Sequence, residues 1–86
     1  MIKIAYKATF IRQFNNLEEV LQNEVLEKIE LLKNPRSHRQ LKVHKLHGPL
    51  QDRYGFSVNY KIRIVFNYVS KNEVVLLAVG DHEIYR

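Results

Sequence analysis

Three apolar segments separated by short turns fill the last third of the chain, and they constrain the fold more than any other feature. They predict strands at about 53–59, 62–69 and 73–80, with a turn at 70–72. In the first two segments apolar and polar residues alternate with a period of two, which is typical of a strand with one covered face. The third is nearly continuous apolar sequence, as expected for a strand buried on both faces. The sequence therefore predicts a β-meander that needs helices to cover it.

The N-terminal half predicts one further strand and two helices. Residues 1–8 alternate between apolar and polar side chains, as a strand with one solvated face does. Thr9 is placed to cap a short helix in which Phe10, Phe14 and Leu17 share one face. The spacing of Asn16 and Glu19 predicts a capping box for a second helix. Both helices are interpreted as the cover of the sheet.

The second helix carries a regular apolar stripe, which consists of Leu21, Val25, Ile29 and Leu32. Asn34 and Pro35 end it, because proline disfavours the α conformation of the residue before it. The predicted fold class is therefore α+β. Two N-terminal helices pack on a small antiparallel sheet, in the order β-α-α-β-β-β, and residues 1–86 form a single domain.

Positive charge is concentrated in one segment. The formal net charge is +5, and seven of the twelve residues 36–47 are Arg, Lys or His. Residues 36–48 show no clean period and are predicted to form a loop, with a short extended piece at 41–46. Such a segment favours a polyanion or an acidic protein as partner.

The remaining composition narrows the setting. The chain has no cysteine, which excludes disulfides and favours a cytoplasmic location. No signal peptide is recognised, and no apolar run approaches the roughly 20 residues needed to span a bilayer, so no membrane partner is expected.

A candidate site combines residues from distant parts of the chain, namely His44, Lys45, His47, Arg63, His82 and Tyr85. Arg63 is the most informative member, because a charged side chain in the middle of an apolar strand is costly to bury without an anion or a carboxylate. Two partners fit at this point: a bound phosphate, or a salt bridge to Glu73 or Glu83. The histidines could transfer protons near neutral pH.

Other chemistries have less support. His44, His47 and His82 could supply three nitrogens to zinc, but the chain has no cysteine and the surrounding cations would repel a metal ion. No metal and no other cofactor is predicted. Ser57 and Ser70 lack a nucleophile-elbow motif. Four tyrosines could stack on bases, although two or three of them are expected in the core: Tyr54, Tyr60, Tyr68 and Tyr85.

Six short motifs follow one another along nearly the whole chain: F-x-x-x-F-x-x-L, L-L-K-N-P, H-K-L-H-G, Y-x-F-S-V, R-I-V-F and L-L-A-V-G-D-H-E-I-Y. In this order and at these spacings they resemble the RelE/ParE toxin superfamily of type II toxin–antitoxin systems. The resemblance implies a fold of two helices packed on a small antiparallel sheet. It also implies one of two activities. RelE-like members cleave messenger RNA in the ribosomal decoding site without a metal, and ParE-like members poison DNA gyrase.

The resemblance assigns roles to individual residues. Arg63 matches an arginine that contacts the scissile phosphate in RelE-like toxins. His82 matches a catalytic histidine of YafQ-like toxins, and Tyr85 matches a C-terminal aromatic residue that stacks on the substrate base. His44 matches a YafQ-like histidine in the corresponding loop.

The chain departs from the family pattern in the first strand of the meander and just after it. Relatives place cationic residues where this chain has Gly55 and Ser57, and the acidic residue of YafQ-like toxins falls near Lys61. The general base therefore stays open among three residues of the basic segment, His44, Lys45 and His47.

The predicted function is a ribosome-dependent, metal-independent mRNA endoribonuclease. In this hypothesis the 2′-hydroxyl of the RNA attacks the adjacent phosphate, Arg63 and Lys45 stabilise charge, and His82 transfers a proton. A gyrase poison and a non-catalytic nucleic-acid-binding module are the alternatives. The expected partners are mRNA on the ribosome and a cognate antitoxin, with both a homodimer and a toxin–antitoxin hetero-oligomer open. RNA contacts are predicted for Arg36, Arg39, Lys42, His47, Arg53, Lys61 and Arg86.

Overall fold

The computed structural model describes residues 1–47 and 52–85, and the side chains of His82 and Tyr85 lie outside that description. Within these residues the helices are α1 (Ala8–Asn15), α2 (Glu19–Leu32) and α3 (His38–Leu41). The strands are β1 (Lys3–Tyr6), β2 (His44–Lys45), β3 (Tyr54–Ser57), β4 (Arg63–Ser70) and β5 (Glu73–Gly80). Two 3₁₀ turns, Pro35–Ser37 and His82–Tyr85, complete the described chain. The fold class is α+β, as predicted.

The strands form one sheet in the order β1-β5-β4-β3-β2. Strands β2 to β5 pair antiparallel, as predicted, but β1 pairs with β5 in parallel, with Lys3 opposite Glu73. The expectation of a purely antiparallel sheet was therefore wrong for β1. The predicted order also lacked α3 and β2, although β2 falls inside the predicted extended piece at 41–46. Elements of four and two residues are too short to produce a readable period.

The core lies between one face of the sheet and the two longer helices. Val25, Ile29 and Leu32 of α2 are buried and Leu21 is partly buried, which confirms the predicted stripe. The sheet contributes its buried residues from alternating positions, among them Phe56, Ile64, Phe66, Val74, Leu76 and Val79. None of the described helices is long and apolar enough to cross a membrane.

The predicted helix caps were wrong. The N-cap residues are Lys7 for α1 and Glu18 for α2, and neither side chain makes a capping hydrogen bond. Thr9 therefore lies inside α1, and Asn16 follows its end. The helices begin at these residues because burial of their apolar faces stabilises them more than a side-chain cap, which is worth about 1 kcal/mol.

A β-bulge shapes the end of β5 that leads to Gly80. Val65 pairs with Ala78 and Phe66 pairs with Leu76, so Leu77 is the extra residue. The bulge allows Leu76 and Val79, three positions apart, to face the same core. The Oε1 atom of Gln13 in α1 accepts a hydrogen bond from the backbone N–H of Val79 at 2.9 Å.

Candidate functional site

Arg63 lies at one end of the sheet, on the face turned away from the core. It is the first residue of β4 rather than a mid-strand residue, and it pairs in register with Ser57 of β3 and Gly80 of β5. Its side chain is half-buried, and Nη1 donates to the carbonyl of Lys61 at 3.3 Å. A salt bridge to Glu73 is excluded by position, because Glu73 begins the other end of β5.

A cleft of about 400 Å³ opens around this arginine and is called the Arg63 cleft. It is lined by Tyr60, Lys61, Arg63, Asp81 and Glu83. Two cations thus stand beside two carboxylates, and Glu83 is the acidic residue of the salt-bridge alternative that shares the cleft with Arg63. The arrangement can bind an anion on its cationic side and accept a proton on its acidic side.

The C-terminal 3₁₀ turn closes tightly beside Arg63. Asp81 Oδ1 accepts from the backbone N–H of Glu83 at 2.9 Å, and Ile84 N–H donates to the carbonyl of Asp81 at 3.2 Å. A Cβ atom at Gly80 would lie 2.8 Å from Cγ2 of Ile84, which is closer than side chains tolerate. Glycine therefore permits the backbone of His82–Tyr85 to pack against the ends of β4 and β5.

A second cleft, of about 420 Å³, lies at the edge of β3 and is called the His44 cleft. It is lined by Lys28, Leu31, Gln40, Leu41, Lys42, His44 and Ser57. It forms because β2 pairs only with Tyr54 and Gly55, so helices rather than a strand border β3 at Ser57. The described residues that line it include two lysines, one histidine and no carboxylate.

The hydrogen bond of His44 defines its neutral tautomer. Lys42 adopts a left-handed conformation, with φ of 58°, and its carbonyl lies 3.1 Å from His44 Nδ1. A carbonyl oxygen can only accept, so Nδ1 carries the proton in this bond and Nε2 has the free lone pair of the neutral imidazole. Nε2 is therefore available to accept a proton from a ligand.

Ser57 and Arg63 place the two clefts beside each other. It lines the His44 cleft, and it is the register partner of Arg63. His44 is opposite Gly55, two residues before Ser57 on the same face of β3. On this face of β3 Gly55 is buried and Ser57 is exposed, so the strand is open to a ligand at Ser57.

The structure separates the predicted residues into groups. Arg63 and Lys61 share one cleft, and Lys42 and His44 share the other. Lys45 is opposite Tyr54, so the strand register places it on the other face of the sheet from His44, and it lines neither cleft. Four further predicted RNA contacts are exposed but line neither cleft: Arg36, Arg39, His47 and Arg53. The side chains of His82 and Tyr85, and all of Arg86, lie outside the described residues.

Several residues of the two clefts were not predicted. Lys28 comes from α2, where it is half-buried beside the apolar stripe, and Gln40 comes from the short helix α3. Asp81 was not assigned a role, and Glu83 was considered only as a salt-bridge partner of Arg63. The apolar period gives no signal for Lys28, because lysines at the border of an apolar stripe are ordinary on helices.

The histidine and tyrosines at the other end of β4 are structural. His38 Nε2 lies 2.8 Å from the carbonyl of Leu32, so it donates there, and Nδ1 accepts from the hydroxyl of Tyr68 at 3.3 Å. Tyr68 packs edge-on against Tyr54 with ring centroids 4.9 Å apart. Burial raises the pKa of Tyr68 above its ordinary 10.0, and the neighbouring Tyr54 adds to the shift. Tyr54 packs against the core, as expected, whereas Tyr68 packs on Tyr54 at an exposed position and Tyr60 is exposed, so only one of these three tyrosines packs against the core.

A groove on the helical side of the molecule has a different character. Its volume is about 210 Å³, and it is called the apolar groove. It is lined by Tyr6, Phe10, Ile11, Phe14, Leu26 and Ile29. Within the described residues, no group of three or more His, Asp or Glu side chains is placed to hold a metal ion.

Solved structures share this fold, whereas no protein-family model and no curated protein sequence matches the chain. The conserved hypothetical protein HP0894 of Helicobacter pylori aligns with a TM-score of 0.72 and 25% identity, over 96% of this chain and 97% of that one. YafQ of E. coli aligns with a TM-score of 0.78 and 12% identity, over 98% and 97%. The toxin–antitoxin complex RelBE2 of Mycobacterium tuberculosis gives 0.72 and 17%, over 94% and 98%. The chain therefore has the fold of the RelE/ParE toxin superfamily, as its motifs implied.

Proposed function

We propose that this protein is the toxin of a type II toxin–antitoxin system and that it cleaves mRNA on the ribosome. The fold it shares with YafQ and with the RelBE2 complex supports the first part. The second part rests on one observation. Arg63 stands half-buried at the end of the sheet and lines one polar cleft, and its register partner Ser57 lines the other.

The proposed chemistry uses the RNA as its own nucleophile. The 2′-oxygen bonds to the adjacent phosphorus, the bond from phosphorus to the 5′-oxygen breaks, and the products are a 2′,3′-cyclic phosphate and a 5′-hydroxyl. Arg63 stabilises the charge that develops on the phosphate oxygens, with Lys61 beside it. His44 accepts the 2′-hydroxyl proton at Nε2, and His82 delivers a proton to the leaving 5′-oxygen. Tyr85 stacks on the substrate base.

We further propose that an antitoxin covers the apolar groove. RelBE2 and the YoeB–YefM pair of Staphylococcus aureus were solved as complexes on this fold. An amphipathic helix would bury its apolar residues against Leu26 and Ile11, which are half exposed. An acidic extension of that helix would pair with the basic segment at 36–47.

The gyrase poison is the second candidate, because Gly55 and Ser57 replace the cationic residues expected of an RNA-cleaving toxin. A YoeB/ParE toxin of Agrobacterium tumefaciens also shares the fold, with a TM-score of 0.68 and 11% identity over 94% of this chain. The two functions separate when the protein is induced in cells and messages are mapped. Cuts within translated frames support the ribonuclease, whereas DNA damage with intact messages supports the gyrase poison.

A further inference from the structure

Tyr60 is the tip of the turn between β3 and β4, and its surroundings do not explain its presence. It is 93% exposed, whereas Tyr6 is 46% and Tyr68 38% exposed. A single exposed apolar residue is common on protein surfaces and carries no conclusion alone. The construction of the turn and the charges next to it distinguish Tyr60 from such residues.

Hydrogen bonds hold the turn at its two ends and attach it to α2. Val58 N–H donates to the carbonyl of Ile62 at 2.7 Å, and both side chains are buried. Asn59 Oδ1 accepts from the backbone N–H groups of Lys61 and Ile62, at 2.8 and 2.7 Å. Asn59 Nδ2 donates to Glu24 of α2 at 2.6 Å. The backbone of Tyr60 is thus fixed by tertiary contacts before any ligand binds, so little backbone entropy remains to be lost on binding.

The residues beside the ring are those that a nucleic-acid strand needs. Lys61 and Arg63 line the same cleft as Tyr60, and Arg63 is the proposed phosphate contact. Aromatic rings next to a cationic groove bind single-stranded RNA, because each base offers a flat face for stacking and each linkage offers a phosphate. Asp81 and Glu83 form the acidic part of the cleft and would repel a phosphate there. The backbone of the strand is therefore directed toward Lys61 and Arg63.

We propose that Tyr60 is a second base-stacking residue, which holds a nucleobase of single-stranded RNA next to the phosphate bound by Arg63. This inference rests on the proposed ribonuclease function and deepens it. It makes Tyr60 a substrate contact on the opposite side of Arg63 in sequence from Tyr85. The RNA strand would then stack on one ring from the β3–β4 turn and on one from the C-terminal turn.

The test combines protein variants with modified RNA. Purified toxin is assayed on ribosomes programmed with a short mRNA that carries a single abasic nucleotide at each position around the cut in turn. The variants are Tyr60→Phe, which keeps the ring, and Tyr60→Leu, which removes it. Val69→Ala is the matched control, because Val69 is also largely exposed, at the far end of β4. Thermal melting checks that all of them fold.

For the wild type, we expect the abasic nucleotide at the stacked position to raise KM by roughly 5- to 100-fold, with a smaller change in kcat. Tyr60→Leu should show the same rise with intact RNA, and the abasic nucleotide should then cost it nothing further. Tyr60→Phe and Val69→Ala should behave like the wild type. Equal KM values for Tyr60→Leu and the wild type would overturn the inference. A loss of antitoxin affinity in Tyr60→Leu without any change on RNA would overturn it as well.

A failure of the proposed function gives a different pattern. In that case the wild type leaves ribosomal mRNA intact, and the inference is tested by direct binding of the proteins to a fluorescent single-stranded oligoribonucleotide. Weaker binding by Tyr60→Leu, with normal binding by Tyr60→Phe and Val69→Ala, then supports the stacking role. Equal binding by the wild type and all three variants would overturn the inference.

Discussion

The apolar groove and the Arg63 cleft are concave surfaces of the same protein, but their linings differ in chemistry. The groove is lined by six apolar or aromatic side chains, whereas four of the five residues lining the Arg63 cleft are charged. The groove lies where the two long helices leave apolar residues uncovered. The cleft lies at the end of the sheet where β4 begins and β5 ends, beside the C-terminal 3₁₀ turn. The difference predicts that the antitoxin helix and the scissile phosphate use separate surfaces, although both partners would reach the basic segment at 36–47. Variants in the groove and in the Arg63 cleft should therefore remove one function without the other.

The largest effect is expected at Arg63. Arg63→Ala should lower the rate of mRNA cleavage on the order of 10²–10³-fold, because a preorganised charged donor to the phosphate is lost. The affinity for the antitoxin should stay the same, since Arg63 does not line the apolar groove. Single-turnover cleavage and calorimetric titration with the antitoxin measure the two quantities. An unfolded variant whose residual soluble fraction still cleaves would instead assign Arg63 to a salt bridge within the cleft.

The reverse separation is expected at Leu26. Leu26→Glu places a carboxylate in the apolar groove and should weaken the antitoxin by more than about 2 kcal/mol, or roughly 30-fold. The cleavage rate of the free toxin should not change. Val20→Glu is the control, because Val20 is exposed on the same helix but does not line the groove. Equal losses of affinity for both variants would show that the added charge matters and the groove does not.

A change in the free energy of unfolding is expected at Gln13, which joins α1 to β5. Gln13 of α1 accepts from the N–H of Val79, beside the bulge that precedes Gly80. Gln13→Ala removes this acceptor from a backbone donor in the middle of the fold and should lower the free energy of unfolding by about 1–3 kcal/mol. Arg12→Ala, at the exposed neighbouring position, should have little effect. Urea denaturation of both variants measures how much this hydrogen bond between α1 and the end of β5 stabilises the fold. Equal losses of stability in Gln13→Ala and Arg12→Ala would contradict the prediction.

The elements that could be predicted from the sequence are those whose packing repeats. The stripe of α2 and the alternation in β4 were readable because burial of one face imposes a period. The parallel pairing of β1 with β5 was not readable, because nothing in the residues of β1 specifies its neighbour. The hydrogen bond between Gln13 and Val79 joins positions 66 residues apart, and nothing in a glutamine or a valine predicts such a contact.

The candidate site was predicted in part for the same reason. Arg63 was recognisable as a charge within an apolar segment, and His44 followed from the resemblance and the basic segment. Lys61 was predicted only as an RNA contact. The sequence suggested that Lys45 would join His44, but neighbouring residues of a strand point to opposite faces. Lys28 reaches the His44 cleft only because α2 crosses this end of the sheet. A tertiary crossing of this kind leaves no local signal.

The smallest effect is expected at Tyr68, which tests whether its contacts with Tyr54 and His38 desolvate the hydroxyl although the residue is 38% exposed. Burial raises the pKa of its hydroxyl above 10.0, so the folded protein keeps this proton at a pH at which the unfolded chain has lost it. Unfolding then releases a proton, and stability is full below about pH 10 and declines as the pH rises through the folded value. Lys33, whose pKa is raised by its hydrogen bond to Glu30, changes stability in the same direction.

The variant Tyr68→Phe separates the two contributions, because it keeps the ring and removes the ionisable hydroxyl. Its urea midpoint should fall less steeply between pH 9 and 11 than that of the wild type, whatever its stability at neutral pH. The comparison uses slopes rather than absolute values, since the variant also loses the hydrogen bond to His38. Parallel slopes would mean that Tyr68 ionises as readily in the folded protein as in the unfolded chain. Its hydroxyl would then be solvated in the folded protein, and its contacts with Tyr54 and His38 would not set Tyr68 apart from the more exposed Tyr60.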